Sequence, residues 1–507
     1  MAKPTEKLVE SLDVLHGLQK QGTVAIRSGD LTRAHRERLV KNGFLQEVMK
    51  GWYIPARPDE TAGDSTAWYA SFWDFCAAYL EFRFQGKWSL SPEQSLLLQI
   101  GRKTVPGQLI VRALRARNKT TGFPHKTSLL EVRASLPDRK NTVLLEGLRL
   151  FSLPAALVAC SSNFYAQHPT DARVALSSIR DASEVLALLL EGGNSVVAGR
   201  LAGAFRNIGR ERLADDVLKG MKAAGYDVRE SDPFAEQSPF RFSGRLESPH
   251  VSRMCLMWQN MREPVLSRFP KPRGLPKKPD AYLKRVDEVF VTDAYHSLSI
   301  EGYRVSRELI ERVKDGKWNP DLDEGDRNQR DALAAKGYWQ AFQSVKKSVA
   351  TVLSGENAGG VADDAHGDWY RELFGPSVTA GFLRPADLAG YRNNPVYIRK
   401  SKHVPPSYEA LRDLMPAFFD LLHDEPDPAV RVVLGHFIFV YIHPYMDGNG
   451  RMGRFLMNVM LASGGYPWTV IPVEKRNDYR KALEKASVEQ DIKPFADFLA
   501  ELVENQS

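Results

Sequence analysis

Leucines at positions 8, 12, 15 and 18 recur at the three-to-four spacing of a single buried face and predict a helix over residues 6–18. Asp30 stands as the N-cap of a second helix, 31–41, which Asn42-Gly43 stops. FLQEVM (44–49) and WYIP (52–55) then flank Lys50-Gly51 as two short strands around a tight turn. Far along the chain, residues 429–442 (AVRVVLGHFIFVYI) are apolar nearly all round and predict a buried helix. Residues 451–462 (RMGRFLMNVMLA) predict another, closed by Gly464-Gly465. Two soft stretches interrupt the pattern. Residues 263–280 hold five prolines among basic residues and predict an extended connector. Residues 354–367 (SGENAGGVADDAHG) predict a surface loop. There is no internal repeat and no run of about 18 apolar residues, so no transmembrane helix is expected.

The 507 residues fit about three domains, and a 43% hydrophobic fraction excludes wholesale disorder. Three scattered cysteines, Cys76, Cys160 and Cys255, exclude a disulfide framework and argue against a zinc cage. With a polar start at residues 1–6, they lead us to expect a cytoplasmic protein. Charge is uneven: residues 1–280 hold 41 Lys+Arg against 29 Asp+Glu, whereas residues 281–507 hold 28 against 33. Residues 101–150 alone carry 11 basic and 3 acidic side chains. Helix, helix, hairpin is the order of a winged helix, and its second helix carries Arg33, Arg36, Arg38 and Lys41. Two readings stand: contact with phosphates of double-stranded DNA, or the solvated face of a protein-contact module.

The expected fold class is α+β and multidomain: a winged-helix module at 1–60, a mixed α/β module at 61–245, a proline-rich linker at 246–280, and a mainly helical domain at 281–507 with its core from about 380. The strings GWYIPAR, LSPEQSLLLQIGRKTVPGQLIV and LLEGLRLFSLPAALV make the first half resemble the AbiEi-like antitoxin family. That resemblance implies a DNA-binding winged helix. His125 and His168 are isolated, and no catalytic constellation stands in this half.

Chemistry concentrates in HPYMDGNGRMGR, residues 443–454. Gly448-Asn449-Gly450 delivers bare backbone N–H groups to a helix N-terminus, an anion site. Arg451 and Arg454, three apart, reach the same polyphosphate. Asp447 offers a hard oxygen for Mg²⁺, and His443 a base titrating near neutrality. These are the parts that phosphoryl or nucleotidyl transfer requires. A metal-hydrolase reading of His436, His443 and Asp447 would leave both arginines without a task.

The run resembles the Fic motif HxFx(D/E)GNGRxxR, with Tyr445 in place of the usual Phe. The resemblance implies that His443 takes a proton from a Ser, Thr or Tyr hydroxyl of a target protein as that oxygen attacks the α-phosphate of ATP. Asp447 then holds Mg²⁺, Asn449 with the backbone of Gly448 and Gly450 cradles the α- and β-phosphates, and Arg451 and Arg454 take the β- and γ-phosphates. Gly450, where kinase-like relatives carry Lys, favours AMP transfer. Residues 391–406 resemble the family's flap hairpin, whose Val396, Tyr397 and Ile398 are expected to pair with a target strand. Residues 476–498 resemble its closing helices.

Ser297 and Glu301 lie four apart on one helix face, followed by Gly302. SxxxEG resembles the inhibitory motif of the family's second class, which implies an ion pair from Glu301 to Arg454. The leading expectation is therefore an autoinhibited protein adenylyltransferase. The alternatives are a DNA-binding or antitoxin-like regulator that senses nucleotide, transfer of another phosphate-containing group such as UMP or phosphocholine, and removal of AMP. Oligomeric state stays open.

Overall fold

The computed structural model describes residues 4–58, 64–234, 248–318 and 330–506. They form two compact units: Met1–Ser252 with Tyr397–Val404, and Arg253–Val396 with Pro405–Ser507.

The first unit opens with α1 (Pro4–Lys20), β1 (Ile26–Arg27), α2 (Arg33–Lys41), β2 (Leu45–Met49) and β3 (Trp52–Pro55). The strands form an antiparallel sheet in the order β1-β3-β2 over Leu15, Ile26, Leu31, Leu39 and Leu45. Thr32, not Asp30, caps α2 by accepting the His35 N–H, while Asp30 takes the Arg27 guanidinium at 2.9 Å. Beyond them come α3 (Thr66–Phe84), β4 (Trp88–Leu90), α4 (Pro92–Gln99), β5 (Gln108–Ala113), β6 (Thr120–Phe123), β7 (Thr127–Arg133), β8 (Thr142–Leu145) and β9 (Leu148–Phe151). A four-stranded sheet runs β4-β5-β7-β6, parallel only between β5 and β7. Trp68, Phe72, Phe75 and Tyr79 of α3 share one buried core with Leu109, Val111 and Leu129 of that sheet. Six helices complete this part: α5 (Leu153–Ala159), α6 (Asn163–Gln167), α7 (Pro169–Ser177), α8 (Ser183–Gly192), α9 (Ser195–Asn207) and α10 (Glu211–Ala223).

The stretch Tyr397–Val404 is anchored inside this unit. Arg399 pairs with Asp64 at 3.0 Å, the Val105 N–H donates to the Lys402 carbonyl at 3.0 Å, and the Lys400 N–H donates to Thr66 Oγ1 at 3.2 Å. Residues 391–406 turn at Lys400 (φ 62°), where the Ser401 N–H bonds the Ile398 carbonyl, but they contain no strand. The expected hairpin ladder is thus absent here. Pro395, Pro405 and Pro406 lack the N–H that a ladder needs.

The second unit is helical: α11 (Pro249–Leu266), α12 (Pro279–Ile300), α13 (Arg307–Lys314), α14 (Arg330–Leu353), α15 (Ala358–Thr379), α16 (Leu411–Asp424), α17 (Pro428–Ile442), α18 (Asn449–Ser463), α19 (Arg476–Glu484) and α20 (Lys493–Asn505). Helix α11 runs through Pro264 to Leu266, so the irregular connector shrinks to residues 267–278. The loop expected at 354–367 is helical from Ala358, with Asn357 Oδ1 capping the Gly360 N–H at 3.1 Å. A Cβ on Gly359 would stand 2.5 Å from the His423 nitrogen, and one on Gly337 would stand 2.0 Å from the Leu373 carbonyl oxygen. These glycines let backbones touch. Helices α17 and α18 lie in the middle with nearly every side chain buried, each Phe or Leu contributing about 1.5–3 kcal/mol of burial.

Candidate active site

Asp427 caps α17, Pro428 fills its first turn, and the apolar helix delivers His443 at its C-terminus in the left-handed region (φ 54°, ψ 60°). Pro444 cannot continue a helix, so the chain must turn. The turn is held from inside. Tyr445 is buried and stacks on Tyr370 at 3.8 Å between ring centres. Asn449 accepts the Tyr445 N–H at 2.9 Å and donates to its carbonyl at 2.8 Å. The Asn449 amide thus braces the loop with its oxygen and one N–H, leaving its second N–H and the backbone to meet an anion. Gly448 caps α18 with φ 81°, where a Cβ would strike the Phe374 ring at 2.8 Å.

His443 Nδ1 lies 3.1 Å from the Val440 carbonyl. Donating there leaves Nε2 as the lone-pair nitrogen. Burial pushes the imidazole down to about 4, with the Arg392 cation adding to the drop. The imidazole is thus neutral throughout the physiological range, lower than the near-neutral titration expected from its residue type. His436, by contrast, lies between the Gly453 carbonyl and the Tyr479 hydroxyl in a fully buried position and serves packing.

Both arginines are buried, Arg451 at 1% exposure and Arg454 at 3%. Arg451 lies over the rings of Tyr303 (5.2 Å) and Phe374 (5.0 Å), touches Asp447 only at 3.5 Å, and leaves its Nε unpartnered. Arg454 donates from Nε to Ser297 Oγ at 2.8 Å, and from Nη2 to the Ser297 carbonyl at 3.1 Å and Glu301 Oε1 at 2.7 Å. Its Nη1 has no partner. Buried donors without acceptors are rare and costly, and they mark a place for an anion.

Glu301 is the C-cap of α12, and Gly302 follows at φ 92°. Its Oε1 lies 2.3 Å from where a Gly450 Cβ would be, so the carboxylate sits against the N-terminus of α18. Burial alone would raise this carboxyl, but Arg454, Arg451 and Arg480 hold it below its ordinary value. Arg480 also donates to the Ile300 carbonyl at 3.1 Å, tying down the end of α12.

The Asp447 side chain is 63% exposed beside this cradle, and no group of three or more His, Cys, Asp or Glu able to hold a metal occurs among the described residues. Asp447 Oδ1 accepts the Gly448 N–H at 2.6 Å, and a lone exposed carboxylate beside a helix N-terminus is a donor set that fits Mg²⁺, which takes one or two carboxylates and completes its shell with other oxygens and water. A cavity of about 830 Å³ opens beside Asp447 and Arg451, walled by Tyr303, Tyr370, Phe374 and Tyr391. Of the expected docking residues, Val396 is half-buried and Tyr397 is 44% exposed.

The structure thus brings His443, Asp447, Gly448, Asn449, Gly450, Arg451, Arg454, Ser297, Glu301 and Gly302 into one locality. Sequence reasoning missed Tyr303, Phe374, Arg392 and Arg480. Tyr303, two residues past Glu301, carried the one available clue.

The four cations proposed for DNA are less free than their spacing suggested. Arg33 pairs with Glu37 at 2.7 Å, and Arg36 donates to the Ser28 carbonyl at 2.9 Å. Arg38 donates to the Lys7 carbonyl at 2.7 Å and to Ser11 Oγ, stapling α2 to α1. Lys41 is exposed.

Residues 367–461 match the Fic/DOC family. Among similar proteins, "Protein adenylyltransferase Fic" of Nematostella vectensis is 41% identical over 128 residues, covering 24% of this chain and 29% of the relative. That of Drosophila willistoni is 40% identical over the same length, covering 24% and 25%. The chain therefore matches less than a third of the length of these relatives. Among solved structures, Fic-1 (aa134–508) from C. elegans aligns at TM-score 0.37 and 19% identity, covering 69% of this chain and 85% of that one. The histidine, the glycine-flanked helix N-terminus and both buried arginines all lie inside the matched segment, which carries a Fic/DOC domain.

Proposed function

We propose that this protein transfers AMP from ATP to a hydroxyl of a target protein, and that Glu301 holds the reaction off. The observation that carries this reading is the pair of buried, under-partnered guanidinium groups beside the α18 N-terminus. Beyond the bonds of Arg454 to Ser297 and Glu301, they offer donors to a polyphosphate. Relatives about 40% identical over this region are named protein adenylyltransferases.

In this reading His443 Nε2 accepts the proton of the target hydroxyl as that oxygen attacks the α-phosphorus. The new bond forms in line with the breaking bond to the bridging oxygen, pyrophosphate leaves, and AMP stays on the target. The backbone N–H groups of α18 and the Arg451 and Arg454 guanidiniums stabilise the charge as it moves. Asp447 holds Mg²⁺, which when bound neutralises phosphate charge. With Glu301 in place, its carboxylate occupies Arg454 and the cradle above Gly450, so the triphosphate meets a negative charge where it needs a positive one.

The N-terminal module is read as a winged helix that meets duplex DNA through the exposed edge of α2, with Arg33 and Lys41 the available cations. Incubation with ATP labelled at the α-phosphate tests the main reading. Glu301→Gly should label itself and target proteins; label retained from the γ-phosphate, or none, would overturn it.

A further inference from the structure

Arg392 is buried to 4% exposure and has no carboxylate partner within bonding distance among the described residues. Its guanidinium bonds only carbonyl oxygens. Nε donates to His443 at 2.8 Å, Nη1 to Asn394 at 3.2 Å, and Nη2 to Pro406 and, at 3.4 Å, to Ile442. Its own backbone N–H donates to the Pro444 carbonyl at 2.8 Å.

Two facts make this more than packing. A cation removed from water whose hydrogen bonds all go to neutral carbonyls, with the Glu409 carboxylate acting only through space, is costly, so its charge and its fork must both be in use. Three of the four carbonyls also border or belong to prolines: Asn394 precedes Pro395, His443 precedes Pro444, and Pro406 is itself one. Prolines supply no N–H, so backbone donors are scarce there, and one five-donor fork replaces them. The Ile442 and His443 carbonyls also close α17, whose negative dipole end favours a cation.

We infer that Arg392 is a positioning residue: it locks His443 in its left-handed conformation and ties Asn394 and Pro406 to that histidine, setting how Nε2 presents to an acceptor hydroxyl. The inference rests on the adenylyltransferase reading above. Arg392 borders the cavity beside Asp447 and Arg451, but its guanidinium donors go to carbonyl oxygens and not to the backbone of residues 448–450, so nucleotide affinity should not depend on it. The charges that bear on His443 are Arg392 from the segment root, Glu301 from the end of α12 and Asp447 from the loop before α18. A cation there disfavours the imidazolium, so its removal raises the histidine's proton affinity.

The experiment uses the full chain in the Glu301→Gly background and measures self-adenylylation rate, Mg·ATP affinity by calorimetry, and the rate from pH 4 to 8. Arg392→Gln should lower the rate about 10- to 100-fold, the loss expected for a misplaced reacting group, with ATP affinity within about twofold. Its acid limb should move to higher pH. Arg392→Lys keeps the cation without the fork; it should leave the limb in place and recover part of the rate. An inactive Glu301→Gly parent would sink the transfer reading itself. With an active parent, a Gln variant at full rate with an unmoved limb overturns the inference, and so does a loss of ATP affinity that matches the loss of rate. Should Arg392→Gln fail to fold, Arg392→Lys decides: a folded Lys variant at the parental rate overturns it.

Discussion

Arginine does opposite work in the two units. In α2 of the first unit Arg33, Arg36 and Arg38 sit at the surface, each satisfied by a neighbouring carboxylate, carbonyl or hydroxyl. In α18 of the second unit Arg451 and Arg454 are buried, and each keeps a donor with no acceptor. Net charge along the chain pointed to the first region, because counting cannot see partners. Burial with an unmet donor points to the second. An exposed, satisfied guanidinium is available to many ligands and required by none, whereas a buried and unsatisfied one stores a demand for a particular anion.

The sharpest break of this contrast comes from the base. His443→Ala should cut transfer by about 10²–10⁴ while leaving Mg·ATP affinity nearly intact, since the histidine serves the acceptor. Calorimetry beside a labelling assay checks it, and a variant retaining most of its rate would remove His443 from the role.

Next in size is the lock. A charge-assisted bond from arginine contributes roughly 1.5–3 kcal/mol, so Glu301→Gly should raise self-adenylylation by about one to three decades. Glu301→Gly/Arg454→Ala should lose that gain, because the freed guanidinium is then missing. Equal activity of the single and double variants would show that Arg454 meets no phosphate.

A smaller effect concerns pH. The imidazole of His443 is held near 4, so Glu301→Gly should keep its rate at pH 5.5, where a histidine of ordinary pKa of about 6.5 would lose about tenfold. The Glu301 carboxyl is depressed, so its pairing is complete above the ordinary carboxylate range and weakens only as pH falls through its lowered folded value. Mild acidification to pH 5.5 should therefore not release the unmutated protein. A rate for the parent that climbs between pH 7 and 5.5 would contradict this.

The smallest effect belongs to the first unit. If α2 meets duplex DNA, Arg33→Ala and Lys41→Ala should each flatten the log–log salt dependence of binding by about 0.9. Arg38→Ala should instead loosen the module by about 1 kcal/mol through its lost bonds to α1, visible in thermal melting. An unchanged salt slope leaves α2 as a protein-contact face.

The site was legible in the sequence because its parts lie within twelve residues, and local spacing survives folding. Helices 429–442 and 451–462 were expected within a few residues of α17 and α18. Elsewhere the signals misled for physical reasons. Gly359 and its neighbours read as a loop, yet Gly359 is small because the backbone of Leu422 and His423 lies against it. Strand β1 is two residues long and has no period to detect. Asp30 and Thr32 both qualify as caps, and only the Arg27 pairing decides between them. Asn449, read from the motif as a phosphate ligand, also spends its oxygen and one N–H on the Tyr445 backbone, a structural task that spacing does not reveal. Arg392 stands 51 residues from His443, so no local pattern announced it.

The 2.3 Å between Glu301 Oε1 and the place a Gly450 Cβ would take has a genetic consequence. Every amino acid one base away from a glycine codon carries a Cβ, and the space for that atom is the space the carboxylate oxygen fills. In the proposed reading any such change would displace the Glu301 carboxylate and fill the place meant for phosphate in one stroke. A selection for runaway alleles should accordingly recover lesions at codons 297 and 301, where the proposed brake is made, and none at codon 450.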